Sequence, residues 1–378
     1  MISKYSNKGC LGFIHINRNS VIVSVETQTY NNIKKLVYGI GVFFLIIVVF
    51  VLGLRVLLKN YSGQDKKVKI VRKYSKSFYG YDRVRGYSTK KNTQVRAECY
   101  INKKRIYNVL YTTNKEGIRI APHDLAQIKF KPSVSSAIFF GCSFTFGEGL
   151  SDSQALPFIF EEKSKGRYKA YNFGCCGYGP HQMLASLEKG IIDASICRGG
   201  QTVVVYQALS SHIERAAFNY PYTLWDVGGP RYRLDKCGNV TGPRYTRVLF
   251  FASKIFNKLS LGNIFTYLAR HQRSDYDRQL FVQIIKKAKE YVQDNYKGKF
   301  YIIYWEDNDS DTKQMIEKLK DQGLEVFTTG EIFGDNFKDK ESFYVSKDGH
   351  PTHEACQLIA GYLLAKISIE PSKIKKEN

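Results

Sequence analysis

The sequence predicts an α/β chain, with a mainly parallel five-stranded sheet covered by helices on both faces and one membrane-spanning helix ahead of it. Three observations predict this. From about Val134, short apolar runs alternate with helix-like stretches, and parallel strands joined in this way need helices on both faces of their sheet. Residues 36–54 form nineteen consecutive positions without a charge. Between the first apolar run and the first helix-like stretch lies G-C-S-F-T-F-G-E-G, Gly141 to Gly149, at the point where a strand hands over to a helix.

The elements follow in order. Residues 1–35 are a short mixed segment with a strand-like piece at Ser20 to Val25. The transmembrane helix is placed at 36–58. Its uncharged part rises roughly 28 Å, enough for a hydrocarbon core, and Lys34, Lys35, Arg55 and Lys59 flank it. It begins too far into the chain and lacks a small-x-small site, so it does not read as a cleaved signal peptide. Residues 59–133 are a basic tether, with Tyr61 to Asn92 rich in Lys, Arg, Tyr, Ser and Gly, followed at 93–133 by a small β-rich lead-in containing Y-T-T-N-K-E-G-I-R-I, Tyr111 to Ile120. The main domain is placed at 134–370, with 208–275 as an aromatic-rich insertion shaping its site and 371–378 as a basic tail. Within it, strands are expected at 136–140, 168–173, 202–207, 300–305 and 324–328. Helices are expected at 154–163, 180–193, 278–295, 312–321 and 353–367.

Composition narrows the partners. Fifty-seven Lys and Arg against thirty-four Asp and Glu give a formal charge of +23, which suits an anionic partner or a solvated basic surface. No nucleic-acid-binding module is visible, so no nucleic acid is expected. The eight cysteines form no CxxC pair, and His350 with His353 lacks a third ligand, so no metal and no cofactor are expected. The Lys and Arg bias around the apolar segment points the C-terminal part to the cytoplasm, although the same basic cluster could lie against anionic lipid on either face.

Chemistry concentrates at the carboxyl ends of the strands, where open α/β sheets gather functional groups. A Gly-x-Ser turn after a strand lifts the Ser143 hydroxyl beside the amides that open the next helix, a place for a nucleophile and for oxyanion donors. A serine needs a base, itself oriented by a third group. His350 has the best setting, in S-K-D-G-H-P-T-H-E-A: a turn before the last helix, with Asp348 two residues upstream. His181, His212 and His353 are the other candidates. A second glycine cluster, Y-N-F-G-C-C-G-Y-G-P at Tyr171 to Pro180, can bring backbone amides close to a ligand. Neither cluster ends in Gly-Lys-Ser/Thr, so neither is a P-loop. Thr145 stands where a G-x-S-x-G elbow has glycine.

Taken together these pieces resemble the SGNH (GDSL-type) hydrolase superfamily over about residues 111–367, in a membrane-anchored form. G-C-S-F-T-F-G-E-G resembles the first block, with Cys142 where the family usually has Asp, and implies Ser143 as nucleophile. N-F-G-C-C-G-Y-G resembles the second block, and D-G-H-P the last. The resemblance implies a three-layer α/β/α sandwich of flavodoxin-like order, Asp348 and His350 as orienting acid and base, and an oxyanion hole from the amides of Ser143 and Gly177, with Gly174 as the alternative. The third block's Gly-x-Asn-Asp is missing. The chain reads Y-Q-A-L-S-S-H-I-E-R instead, which leaves Gln207 or Ser210 to replace the Asn. Asn172, His212 and Arg215 are the substrate-binding candidates. The implied activity is a serine esterase or acyl hydrolase acting on an acylated small molecule, glycan or lipid. An O-acyltransferase of envelope polysaccharide and a decayed, tethered glycan-binding protein are the alternatives. Relatives acting on envelope polymers point the domain outside the cell, against the charge bias.

Overall fold

The computed structural model of the chain describes residues 30, 32–46, 48–50, 53, 69–120, 134–192, 194–197, 199–218, 228–245, 273–307, 309–335, 342–345 and 348–368. The chain divides into two compact units, residues 1–67 and 68–378. In the first, a helix α1, Asn32–Phe50, with a mean hydropathy of 2.3, is long and apolar enough to cross a membrane. It starts ahead of the predicted Leu36. The strand-like piece at 20–25, the end of the predicted span at 54–58 and the tail at 371–378 lie outside the described residues.

The second unit is built on a nine-stranded sheet. Its strands are β1 (Ile70–Tyr74), β4 (Gln94–Ile101), β5 (Lys104–Thr113), β6 (Arg119–Ile120), β7 (Ser135–Phe140), β8 (Tyr168–Asn172), β9 (Thr202–Ala208), β12 (Lys299–Tyr304) and β13 (Glu325–Thr328). The spatial order is β1-β4-β5-β6-β8-β7-β9-β12-β13. The last five strands in this order are mutually parallel. Their sequence order is second-first-third-fourth-fifth, the flavodoxin-like winding, whose direction reverses between β7 and β9. The remaining four strands are antiparallel and join through Arg119 opposite Asn172. The lead-in therefore extends the same sheet, and the expected tether at 61–92 is corrected, because β1 within it pairs with β4 and completes that extension. Two hairpins stand apart: β2 (Tyr79–Asp82) with β3 (Gly86–Thr89), and β10 (Arg231–Leu234) with β11 (Val240–Arg244).

The helices of this unit are α2 (Ser143–Phe146), α3 (Leu156–Lys163), α4 (Pro180–Glu188), α5 (His212–Ala217), α6 (Asp275–Tyr296), α7 (Asp311–Asp321), α8 (Thr329–Phe333) and α9 (His353–Ser368). α4 stops short of the predicted 193 because Gly190 takes a left-handed conformation, which ends a helix. The three layers follow from period-two alternation in strands buried on both sides. Ile138, Phe140, Val204, Tyr206, Phe300 and Ile302 face a core shared with α4, α6 and α7. Their neighbours Ala137, Phe139, Val203, Val205, Tyr301 and Ile303 face a core shared with α3 and α9. A third cluster packs Phe78, Val95, Ala97, Cys99, Tyr107 and Tyr111 against Phe146 and Cys176. The antiparallel extension thus rests on both glycine-rich loops. Of the 208–275 insertion, α5 and the β10–β11 hairpin are described, and residues 219–227 and 246–272 lie outside the described set.

Candidate active site

Ser143 opens α2 at the carboxyl end of β7, beside the reversal in strand order, and is 7% exposed. His350 lies in the turn before α9. That turn is closed by hydrogen bonds from the Val345 amide to the His350 carbonyl, 2.7 Å, and from the Asp348 and Gly349 amides to the Val345 carbonyl. Two elements 207 residues apart in sequence are so brought together that His350 Nε2 lies 2.8 Å from Ser143 Oγ. On the far side of the ring, His350 Nδ1 is 2.7 Å from Asp348 Oδ2. With Nδ1–H donating to the carboxylate, Nε2 is left to accept the serine proton. Phe144 packs edge-on to the imidazole at 5.6 Å and to Trp305 at 5.0 Å, which fixes the ring plane.

The Asp348 side chain is fully buried. Burial alone would raise its pKa. The hydrogen bond and charge of His350 and the charge of Arg72 outweigh burial, and the carboxyl is held below its ordinary value. Arg72 is on β1, and its guanidinium bonds Asp348 Oδ1 through Nη2. Its Nε lies 2.9 Å from Glu148 Oε1. The Cys99 thiol also reaches Asp348 at 3.7 Å, and burial followed by that carboxylate pushes it up to about 11.

The turn that carries Ser143 is braced from below. Gly141 has φ +150, and a Cβ there would run into the Thr145 hydroxyl. Thr145 Oγ1 donates to the Phe140 carbonyl at 3.1 Å and accepts from Gln207 Nε2 at 2.8 Å. Gln207 Oε1 in turn accepts from Trp305 Nε1 at 2.8 Å. The expectation that Gln207 supplies an oxyanion donor is therefore corrected. Its buried amide holds the turn that carries Ser143, because the hydroxyl of Thr145 and the indole of Trp305 take both of its ends.

Gly174 is corrected in the same sense. Its amide donates to Asn172 Oδ1 at 3.0 Å, and a Cβ there would come 2.5 Å from the Phe146 nitrogen. Its glycine lets the second loop lie against α2. Asn172, 1% exposed, contacts the Phe146 carbonyl at 3.4 Å through Nδ2, so it ties the two loops together and does not face a substrate. The amides of Ser143 and Gly177 have no hydrogen-bond partner among the described residues. Gly177, at φ +86, sits at the apex of the second loop.

His212 is corrected as well. It is fully buried, its Nδ1 pairs with the Tyr206 hydroxyl at 2.6 Å, and burial holds its pKa well below the ordinary value. Arg215 donates to the Tyr178 carbonyl at 2.8 Å and so supports the second loop. Ser210, 1% exposed, contacts Asp307 and Thr312 at 3.0 Å each, within a buried network. Among the described residues no group of three or more His, Cys, Asp or Glu could hold a metal ion.

Three residues that sequence reasoning missed complete the surroundings. Arg119 on β6, 1% exposed, donates to the carbonyls of Phe146, Gly147 and Leu150 at 2.6–2.7 Å and pairs with Asp152 at 2.9 Å. Arg72 and Glu148 join the histidine side. Glu148 was visible as the acidic member of the first glycine cluster, and Arg119 as the cation in G-I-R-I. Arg72 gave no signal beyond one basic residue among many.

No protein-family model matches this chain, and no curated protein does. Several solved structures are similar to it. A lipolytic protein of the G-D-S-L family from Veillonella parvula shares 13% identity at a TM-score of 0.36, over 63% of this chain and all of its own. A putative lipolytic protein of the same family from Desulfitobacterium hafniense shares 13% at a TM-score of 0.32, over 60% of this chain and 97% of its own. A structure described as a carbohydrate esterase active site with divergent catalytic and non-catalytic binding functions shares 11% at a TM-score of 0.34, over 81% and 99%. At such identities and TM-scores the likenesses are distant, and the fold rests on this chain's own strand order: five parallel strands of an α/β sheet, wound as the motif resemblance to the SGNH hydrolases implies.

Proposed function

We propose that this chain is a membrane-anchored serine esterase of the SGNH type that cleaves an ester-linked acyl group. The observation carrying the reading is the unbroken relay from Ser143 Oγ through His350 to Asp348, at 2.8 and 2.7 Å. Those distances lie within the reach required of a nucleophile and its base. In the first step His350 Nε2 takes the proton of Ser143 as Oγ attacks the ester carbonyl. Asp348 steadies the imidazolium, and the amides of Ser143 and Gly177 receive the oxyanion. The imidazolium then protonates the leaving alcohol, and water attacks the acyl-enzyme with His350 again as base. The apolar helix and basic setting favour an acylated envelope glycan or lipid as substrate. Transfer of the acyl group to a sugar hydroxyl uses the same relay.

A second reading, a tethered glycan-binding protein on a hydrolase scaffold, is favoured by one observation. With Gln207 and Gly174 engaged elsewhere, two backbone amides are left to serve an oxyanion, and one lost donor costs about 2.7–4 kcal/mol of transition-state stabilisation. A fluorophosphonate probe separates the two readings. The esterase reading expects labelling of the folded wild type and its loss in Ser143→Ala, whereas a folded wild type that stays unlabelled sinks it. A chromogenic acetyl ester, with and without oligosaccharide acceptors, then distinguishes hydrolysis from transfer.

A further inference from the structure

The relay has a fourth and a fifth charged member. The Glu148 side chain is 2% exposed, and its Oε2 lies 3.5 Å from His350 Nε2, the ring nitrogen that faces Ser143. Its other oxygen takes the Arg72 pair at 2.9 Å, with the Tyr107 hydroxyl at 3.4 Å and the Cys176 thiol, on Oε2, at 3.2 Å. Arg72 reaches across to Asp348 on the opposite edge of the ring. Around His350 the charged and titratable neighbours are therefore Asp348 on its own turn, Glu148 after α2, and Arg72 on β1. Cys99 of β4 stands behind Asp348, and Tyr107 of β5 and Cys176 of the second loop stand behind Glu148.

The charge balance is informative. One guanidinium facing two buried carboxylates leaves the cluster one negative charge in excess while the imidazole is neutral. Protonating His350 closes the balance, and buried charges are tolerated only when paired. A carboxylate beside Nε2 gains nothing from a neutral ring whose lone pair points to serine, and gains an ionic partner as soon as the proton arrives.

We infer that Glu148 and Arg72 are positioning residues of the Ser143–His350–Asp348 relay: Glu148 is the counter-ion that receives the imidazolium on its serine side, and Arg72 holds both carboxylates in place. This rests on the esterase reading for its role in turnover, while the charge coupling itself does not. Glu148 stands where the arriving proton needs a partner, and Arg72 spans from that carboxylate to Asp348 on the other edge of the ring. Because Arg72 belongs to β1, the edge strand of the antiparallel extension, that extension is part of the reacting centre's support.

The test follows the His350 ring titration by NMR on the full chain in detergent, assigned with His350→Gln, alongside the pH dependence of fluorophosphonate reaction. Glu148→Gln is expected to lower the His350 midpoint, and with it the acid limb of the reaction, by about one pH unit, the smaller end of what a neighbouring charge does. Arg72→Met is expected to raise both. Arg72→Lys and Glu148→Asp keep the charges and lose the geometry, so the midpoint stays near wild type while the reaction slows by about tenfold or more. These two variants decide the matter should either neutral one fail to fold by thermal melt. Midpoints that stay put or move in the same direction in the two neutral variants overturn the inference, as do charge-conserving variants that react like wild type. If wild type labels at Ser143 and no variant shifts, the inference falls and the esterase reading stands. If the titrations shift as expected but wild type never labels, the charge coupling stands and the esterase reading falls.

Discussion

Asp348 is buried, and yet His350 and Arg72 hold it ionised, so its contribution to stability has a definite pH sign. Its folded pKa lies below the ordinary value of 3.8. The stability it supplies is therefore fully present above that ordinary value and is lost as pH falls through the folded one. Urea midpoints of wild type and Asp348→Asn measured from pH 3 to pH 7 should differ most above pH ~4 and converge below it. A gap that widens on acidification would contradict the assignment. The same variant should slow reaction with an activated acetyl ester on the order of 10⁴-fold, the scale of the corresponding change in a serine-protease relay. That Ser143, Asp348 and His350 would meet was legible because each sits in a short local phrase with its own turn residues. Gln207 and His212 were misread because proximity to a strand end says nothing of direction. Gln207 turns toward Thr145 and Trp305, and His212 turns into the core toward Tyr206. Arg72 was illegible in principle, being 276 residues from the carboxylate that it holds.

At the scale of elements, the loop after α2 is held from outside the parallel core. Arg119 satisfies three carbonyls of this loop and stacks on Tyr111 at 4.4 Å and Phe146 at 4.8 Å. The Gly149 amide donates to the Tyr111 hydroxyl at 2.8 Å. Arg119→Met keeps the stem and removes the fork, taking the cation from Asp152 and the guanidinium donors from those three carbonyls. Its cost should reach about 3–5 kcal/mol, the range for breaking a buried ion pair, read as a fall in urea midpoint of the full chain. Gly174→Ala should destabilise through the collision with the α2 backbone, by about 1–3 kcal/mol. Fluorophosphonate labelling should fall even in the folded fraction, because the second loop can no longer lie against the first. The five parallel strands were read to within one or two residues because strands buried on both faces are continuous apolar runs. The antiparallel extension is half-exposed and rich in Lys, Arg and Tyr, so its periodicity could not show that it continues the same sheet.

At the scale of the whole molecule, the boundary at residue 67 separates the apolar helix α1 from the unit that holds Ser143, His350 and Asp348. The full chain should resist extraction from membranes by alkaline carbonate, since α1 is long and apolar enough to span a bilayer. Protease accessibility in intact and permeabilised cells then fixes its sense, and the envelope-polymer setting proposed for the substrate expects digestion of the second unit in intact cells of a strain whose outer layers admit protease. Deletion separates anchoring from catalysis more sharply. Removing residues 1–67 takes away α1 and leaves β1 with Arg72, so the remaining protein should leave the membrane fraction and still label at Ser143. Removing residues 1–77 takes away one edge strand, which pairs with β4 alone. The core clusters on both faces of the parallel sheet contain no residue of that strand, so folding should survive its loss. Labelling at neutral pH should nonetheless drop by about tenfold or more, since both carboxylates beside His350 lose their cation. Equal labelling of the two truncated proteins, with matching thermal melts, would show that β1 is only a spacer between anchor and enzyme.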